Sequence, residues 1–477
     1  MWLTLALLLF ILQIATILIV EFRRPSKTIA WLSISFLFPI VGFLFYYFMA
    51  QEYRQRTVVR RRQEAVAEEE VRHRLPRMHA VRSIDELPNE RLREERRLFG
   101  LLQSFPDALI TKRNDTTVLA SAQETYRLML QDIEGAESHI HMLYYIWNDD
   151  DFGRRFKEAL TRKAVAGVKV RIIYDAVGAY STPEKFWEEL QEAGAHVHAF
   201  LPVFIAFFDK RLNYRNHRKI TVVDGKIGYV GGINIGDEYV GKNRKLGYWR
   251  DSCVRLMGDS VYELQRVFLK DWQFVCGERL GADKRMFPPH DVAEAKDTVQ
   301  IVPSGPDTHW DTIQEMLFGA FCSARERIYV TTPYFIPDRG ILTALKTAAL
   351  SGVDVRLVIP GVADQRLTNW ASLSFVEELL HSGIRVYRYR KGFIHAKMIV
   401  VDRHFATTGT ANMDLRSFFS NFEINAAFFD EHIVERFAND IIQDLENSEE
   451  VKLSAFKDRG RLQRGKETLG RLLSPLL

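Results

Sequence analysis

Cysteine is almost missing from this chain. Its three cysteines among 477 residues, Cys253, Cys276 and Cys322, lie far apart and are odd in number. They supply neither a disulfide framework nor the paired spacing of a zinc site, and they fit a reducing compartment. An excess of charge is missing too: 65 Lys and Arg against 61 Asp and Glu leave +4. So small a balance argues for no nucleic-acid partner, and none is expected. Charge of either sign is absent from Met1 to Val20 and again from Ile29 to Met49.

Each uncharged run has about the length, at ~1.5 Å per residue, that spans a hydrocarbon core of ~30 Å. A cleaved signal peptide needs a basic start and a small-residue cleavage site, whereas this chain begins Met1-Trp2 and the run stops at Glu21. Residues 1–49 are therefore expected to form two transmembrane helices joined by a short polar loop, an integral, multi-pass anchor. Pro39 and Gly42 inside the second run are tolerated in a membrane. Arg54, Arg56, Arg60, Arg61 and Arg62 follow it, against Arg23, Arg24 and Lys27 in the loop. The positive-inside rule then places the bulk of the chain in the cytoplasm. Residues 50–97 mix both signs of charge and read as a solvated connector.

What the chain does have is a motif met twice. Asn216-His217-Arg218-Lys219 leads through β-branched residues to Asp224, then Gly231 and Asn234. His395-Ala396-Lys397 leads likewise to Asp402, then Gly409 and Asn412. The pattern H-x-K-x4-D-x6-G-x-x-N recurs with no slip in spacing. His and Lys two apart on a strand share a face. Imidazole can attack phosphorus or donate to a leaving oxygen, since it titrates near neutrality. Lys219 and Lys397 can hold non-bridging oxygens, and the amides of Asn234 and Asn412 can add hydrogen bonds. No cysteine or carboxylate ligand set accompanies the histidines, so phosphate chemistry with neither metal nor cofactor is expected. His139-x-His141 and His196-x-His198 have the spacing of metal ligands but lack a third one.

The repeat extends beyond the motif. Ala136–Ile140 matches Ala324–Ile328, Ala166–Ile173 matches Ser351–Val358, and Ala193–Val197 matches His381–Val386. Helical stretches, Phe152–Val165 and Ile341–Leu350, precede the second of these strands. Strand alternating with helix indicates an α/β fold with largely parallel pairing. A first repeat is expected over residues 98–286, a Pro-rich linker over 287–310, a second repeat over 311–450 and a basic tail over 451–477. His217 and His395 are 178 positions apart, so a pseudo-twofold packing of two domain-sized repeats would bring both motifs to one site. The tail reads either as an interfacial helix on anionic lipid or as a docked C-terminal helix. The Phe-rich loop of residues 200–208 reads equally as core or as a surface for acyl chains.

These motifs resemble those of the phospholipase D superfamily. With the two apolar runs and the ending Leu472-Leu473-Ser474-Pro475-Leu476-Leu477, nearly the whole chain resembles the bacterial cardiolipin synthases within it. The resemblance implies a phosphatidyltransferase of the cell membrane that joins two phosphatidylglycerols into cardiolipin and glycerol through a phosphatidyl-histidine. Water as acceptor, giving a phospholipase D-type phosphodiesterase, is the alternative. The resemblance implies His217 as nucleophile and His395 as acid and base. It also implies that an acidic residue following each motif orients its imidazole, which assigns Glu423 to His395 and Asp251 to His217. Asp224 and Asp402, lying past their strands, are expected to hold motif geometry.

Overall fold

Runs of β-branched and aliphatic residues become the spine of the molecule, a single mixed sheet. The computed structural model describes residues 2–21, 25–49, 78–87, 89–105, 107–202, 214–280, 284–290, 295–308 and 310–476. The sheet has fifteen strands. From one edge these are Ser448–Glu450, Arg385–Tyr389, Asp354–Pro360, Arg327–Thr331, Met398–Val401, Phe405–Gly409, Glu423–Phe428 and Asp297–Ser304. The order continues with Ile110–Leu119, Cys253–Gly258, Ile227–Gly231, Ile220–Val223, His139–Tyr144, Lys169–Asp175 and His196–Phe200. Apart from the edge strand Ser448–Glu450, the two halves have the same strand order, mirrored about the antiparallel junction of Ile110–Leu119 with Asp297–Ser304.

Pairing is less parallel than the alternation of strand and helix implies. Only the His139, Lys169 and His196 strands, and likewise the Arg327, Asp354 and Arg385 strands, pair in parallel. Every other neighbour in the sheet is antiparallel. The motif itself is the cause. Ile220–Val223 turns back at Asp224-Gly225, where both φ angles are positive (53° and 65°), and pairs antiparallel with Ile227–Gly231. Such a tight turn allows no parallel partner. The helices Asp151–Val165 and Arg339–Leu350 return the chain between parallel strands, each N-capped by an aspartate, Asp150 and Asp338.

Two expected boundaries move. Asp297–Ser304, inside the stretch expected as linker, is a central strand buried along its whole length. Its Pro303 lies past Gln300, the last residue paired with Ile110–Leu119, so at that point only the Glu423–Phe428 side pairs with the strand. The segment before residue 98 is not merely a solvated connector: Val81, Leu87 and Leu92 are buried. Together with Leu98, Phe99 and Leu102 they join the core formed by Val302, Ile313, Leu317 and Phe321 of the second half. The chain thus packs residues preceding its first repeat against its second.

At the N-terminus, Trp2–Glu21 is helical, and a second helical stretch runs from Pro25 to Met49 with a break at Phe38. The break falls just before Pro39, which has no N–H to donate. Among the described residues no helix is long and apolar enough to cross a membrane. Ile17, Trp31 and Tyr46 form a small core between these helices. The tail forms a helix, Arg461–Leu473, docked on the helix Arg366–His381. Gly470 permits that contact, since a Cβ there would lie 2.6 Å from the Ala371 nitrogen. The loop Phe204–Phe208 lies outside the described residues.

Candidate active site

The two motifs meet where the halves cross. Just before His395, Gly392–Ile394 pairs in parallel with Tyr248–Arg250 of the first half. The His395 amide donates to the Arg250 carbonyl at 2.7 Å. The other motif does the reciprocal thing: Asn216 bridges Phe422, and the His217 amide donates to the Phe422 carbonyl at 2.8 Å. The residue after Arg250 is Asp251, and the residue after Phe422 is Glu423. Each crossing therefore delivers a carboxylate to the imidazole of the opposite repeat.

This reverses the expected pairing. His395 Nδ1 lies 2.6 Å from Asp251 Oδ2, and His217 Nδ1 lies 3.2 Å from Glu423 Oε1. Asp251 also accepts from the Ser252 amide at 2.8 Å and, more weakly, from Trp249 Nε1 at 3.4 Å. Glu423 accepts from Thr410 Oγ1 at 2.5 Å and Asn421 Nδ2 at 3.3 Å. Both carboxylates are fully buried. Burial alone would raise their pKa values; His395 holds Asp251 below the usual carboxylate range, and His217 with Lys219 does the same for Glu423.

Motif glycines make the crossing sterically possible. A Cβ on Gly231 would sit 2.4 Å from the Ser252 oxygen, and one on Gly409 2.3 Å from the Ile424 oxygen. These oxygens belong to the residues that follow Asp251 and Glu423, so the glycines let the carboxylate-bearing strands approach. Asp224 and Asp402 lie at the other end of each motif. Asp224 accepts from the amides of Glu137, Ser138 and His139 at 2.7–2.9 Å. Asp402 accepts from those of Arg325, Glu326 and Arg327 at 2.8–2.9 Å. Three charge-assisted bonds offset the positive φ of each aspartate.

Burial governs the charges here. It lowers the pKa of His217, helped by the Lys219 charge, and lowers His395 to about 4 with help from Lys397. Both imidazoles are neutral at neutral pH. Burial also lowers Lys219 to about 7 and Lys397 to about 8. Lys219 Nζ donates to the His217 carbonyl at 2.7 Å, and Lys397 Nζ to the His395 carbonyl at 2.6 Å. Lys397 Nζ also reaches His395 Nε2 at 2.9 Å. Among the described residues, His217 Nε2 has no such partner, so its lone pair is available. One motif thus presents a free nitrogen, and the other a nitrogen already hydrogen-bonded to an ammonium.

The asparagines are also unequal. Asn234 Oδ1 accepts from the Ile146 amide at 3.0 Å, which pins the side chain to the scaffold. Asn412 bonds Asp414, and its own Oδ1 is buried with no partner among the described residues. The tempting histidines are structural: His139 and His141 both contact Gln265, and His141 stacks on Phe268 at 4.5 Å. His198 packs edge-on against Trp272.

Several neighbours of the site were not legible in the motif. Tyr145 stands edge-on to His217 at 4.7 Å, and Trp249 packs on His395 at 5.3 Å. Arg218, between His217 and Lys219, points to the opposite face by strand alternation. It forms a two-bond pair with Asp271 at 2.7 and 2.8 Å and donates to the Glu423 and Ser304 carbonyls of the other half. Arg250 pairs with Asp444 of the other half at 2.7 Å. The alternation was readable; the partners were not.

A family model described as "Cardiolipin synthase, PLD-like domain" matches residues 129–272 and 317–445, and one described as "Phospholipase_D-nuclease N-terminal" matches residues 3–51. A cardiolipin synthase of Geobacillus kaustophilus (strain HTA426) is 40% identical over 98% of this chain and 92% of its own length. The major cardiolipin synthase of Bacillus subtilis (strain 168) is 39% identical over 98% of both chains. Among solved structures, the phosphatidylserine synthase of Haemophilus influenzae Rd KW20 has a TM-score of 0.60 at 14% identity. It covers 80% of this chain and 100% of its own, a likeness of fold.

Proposed function

The chain belongs to the bacterial cardiolipin synthases, phosphatidyltransferases of the phospholipase D superfamily, and on that premise we propose how its residues divide the reaction. The phosphodiester of phosphatidylglycerol sits between Lys219 and Lys397. His217 Nε2 attacks phosphorus, the P–O bond to glycerol breaks, and a phosphatidyl-His217 forms. His395 protonates the leaving glycerol oxygen, then takes a proton from a hydroxyl of a second phosphatidylglycerol. That oxygen attacks phosphorus, the P–N bond breaks, and cardiolipin is released. The observation that carries this division is the free Nε2 of His217 set against the Nε2 of His395, hydrogen-bonded to Lys397 and backed at 2.6 Å by Asp251.

His395 is neutral in the empty site, yet the first step needs its proton. An anionic phosphodiester favours the charged form of nearby bases. Lys397, with a pKa of about 8, stands 2.9 Å away and holds the proton that the pair shares. Binding of substrate therefore sets up the acid. Asp251 and Glu423 stabilise the imidazolium forms and fix which ring nitrogen faces phosphorus.

The enzyme is membrane-associated, and residues 1–49 supply a multi-pass anchor with the catalytic part on the cytoplasmic side. Supporting this are the two uncharged runs, the arginines after residue 53, and many exposed apolar residues. Leu8, Leu12, Ile19, Phe36, Leu37 and Ile40 are each more than 60% exposed, which water does not tolerate as a contiguous surface. Purified protein given glycerol-labelled phosphatidylglycerol tests the reaction: cardiolipin and free labelled glycerol are expected, and phosphatidic acid without cardiolipin would identify water as the acceptor.

A further inference from the structure

The tail helix Arg461–Leu473 has one face too many. Its docked face holds Glu467 and Gly470, both buried against the second half. Arg459 reaches Glu467 at 2.7 Å and Glu377 at 2.9 Å. Arg471 lies over the Phe375 ring at 3.7 Å, and Lys466 over Trp370 at 5.5 Å. A helix fastened this way should turn polar residues outward. Instead Leu462, Leu469 and Leu472 are 76%, 48% and 46% exposed. At 100° per residue these three and Gly465 fall on one stripe, opposite the docked face.

Charge identifies the occupant of that stripe. From Lys452 to Leu477 there are seven basic residues and two acidic ones. Of the acidic pair, Glu467 is buried against Arg459, which leaves Asp458 as the exposed acid. Arg461 and Arg464 are exposed along one flank of the leucine stripe. Leucines bordered by arginines make an interfacial helix on anionic lipid. Position agrees: the turn Ser474–Leu476, directly after the helix, packs on the helix Pro25–Leu37 of the proposed anchor.

We infer that the helix Arg461–Leu473 lies on an anionic bilayer surface, Leu462, Leu469 and Leu472 inserted, as a second membrane contact that orients the catalytic halves. The inference rests on the enzyme working at a bilayer, and not on which alcohol accepts the phosphatidyl group. It therefore stands or falls separately from the product assay.

The test uses the full-length chain carrying Cys322→Ser and Gly465→Cys, labelled at position 465 with a polarity-sensitive fluorophore. Gly465 has open space around it. In vesicles containing phosphatidylglycerol, blue-shifted emission and quenching by brominated acyl chains are expected. Adding Leu462→Glu, Leu469→Glu and Leu472→Glu should abolish both while leaving the docked face, and hence the thermal melt, in place. Water-like emission in vesicles overturns the inference. So does a blue shift in detergent that grows with protein concentration, which would make a second copy of the chain the occupant. Quenching that survives the three glutamates overturns it as well.

Discussion

His395 and Asp251 are 144 residues apart and belong to different repeats, yet their side chains meet at 2.6 Å. The contact is made because Gly392–Ile394 and Tyr248–Arg250 pair in parallel across the junction. Neither repeat alone holds a complete histidine–carboxylate pair. The site is thus a property of the junction between the halves.

The crossed pairing separates the two histidines by experiment. With a substrate whose glycerol is replaced by 4-nitrophenol, the leaving group needs no proton. His395→Ala and Asp251→Asn should then still release one equivalent of nitrophenol, whereas His217→Ala and Glu423→Gln should not. With phosphatidylglycerol, His395→Ala and Asp251→Asn should lose about 10²–10⁴-fold in turnover, the range for general acid–base assistance, and His217→Ala, which lacks the nucleophile, should turn over no substrate. Stopped-flow absorbance measures the burst; a pairing of Asp251 with His217 would exchange the behaviour of the two carboxylate variants.

Lysine charge should limit the enzyme on the alkaline side. Lys219 and Lys397 have pKa values of about 7 and about 8 because both are buried. Phosphate is held only by their cationic forms, so kcat/KM, which reports the free enzyme, should fall as pH rises through 7 to 8. A profile flat to pH 9.5 would mean the lysines keep their ordinary affinity for protons.

Stability should carry the signature of His395. Its folded pKa is about 4, below the unfolded value of about 6.5. Between those values the unfolded chain binds the proton and the folded one does not. Stability is therefore gained as pH rises from 4 to 6.5 and lost as pH falls through that window, on the order of 3 kcal/mol. Thermal melts of the parent protein against His395→Gln should show a shallower acid limb in the variant.

Gly231→Ala tests the close approach. A Cβ there would lie 2.4 Å from the Ser252 oxygen, so the segment bearing Asp251 must move. Overpacking of this kind costs about 1–3 kcal/mol, occasionally more. Turnover should drop more than stability does, since the displaced group is Asp251. Melts and assays on the same preparation compare the two.

A chain beginning at Met78 should assemble both halves, because Val81, Leu87 and Leu92 are part of the core. One beginning at Leu98 would lose them and fold poorly. The Met78 form should cleave phosphatidylglycerol in detergent micelles and work weakly on vesicles. If it is folded but inert on both, residues before Met78 contribute to the site itself.

The sequence by itself determined the repeat, the residue types at the site and the aspartates that anchor it. Those features are local: spacing along one strand, a turn, an apolar run. His217 with Lys219, and His395 with Lys397, needed only strand alternation to be placed on one face. The asparagines show where this stops. Asn234 and Asn412 occupy the same motif position, but their neighbours, Ile146 and Asp414, hold the amides differently.

Only the tertiary structure decided which carboxylate serves which histidine. Asp251 lies 34 positions after His217, and Glu423 lies 28 after His395. In two repeats related by a pseudo-twofold, the same sequence permits pairing within a repeat or across the axis, where His395 and Asp251 are 144 positions apart and His217 and Glu423 are 206. The two pairings differ only in whether the strand after each motif folds back or crosses over. That choice is made by the junction of Ile110–Leu119 with Asp297–Ser304, by the two short crossing pairings, and by Arg218 and Arg250, which are buried where the halves meet. These are contacts between residues far apart in sequence, and no local pattern encodes them.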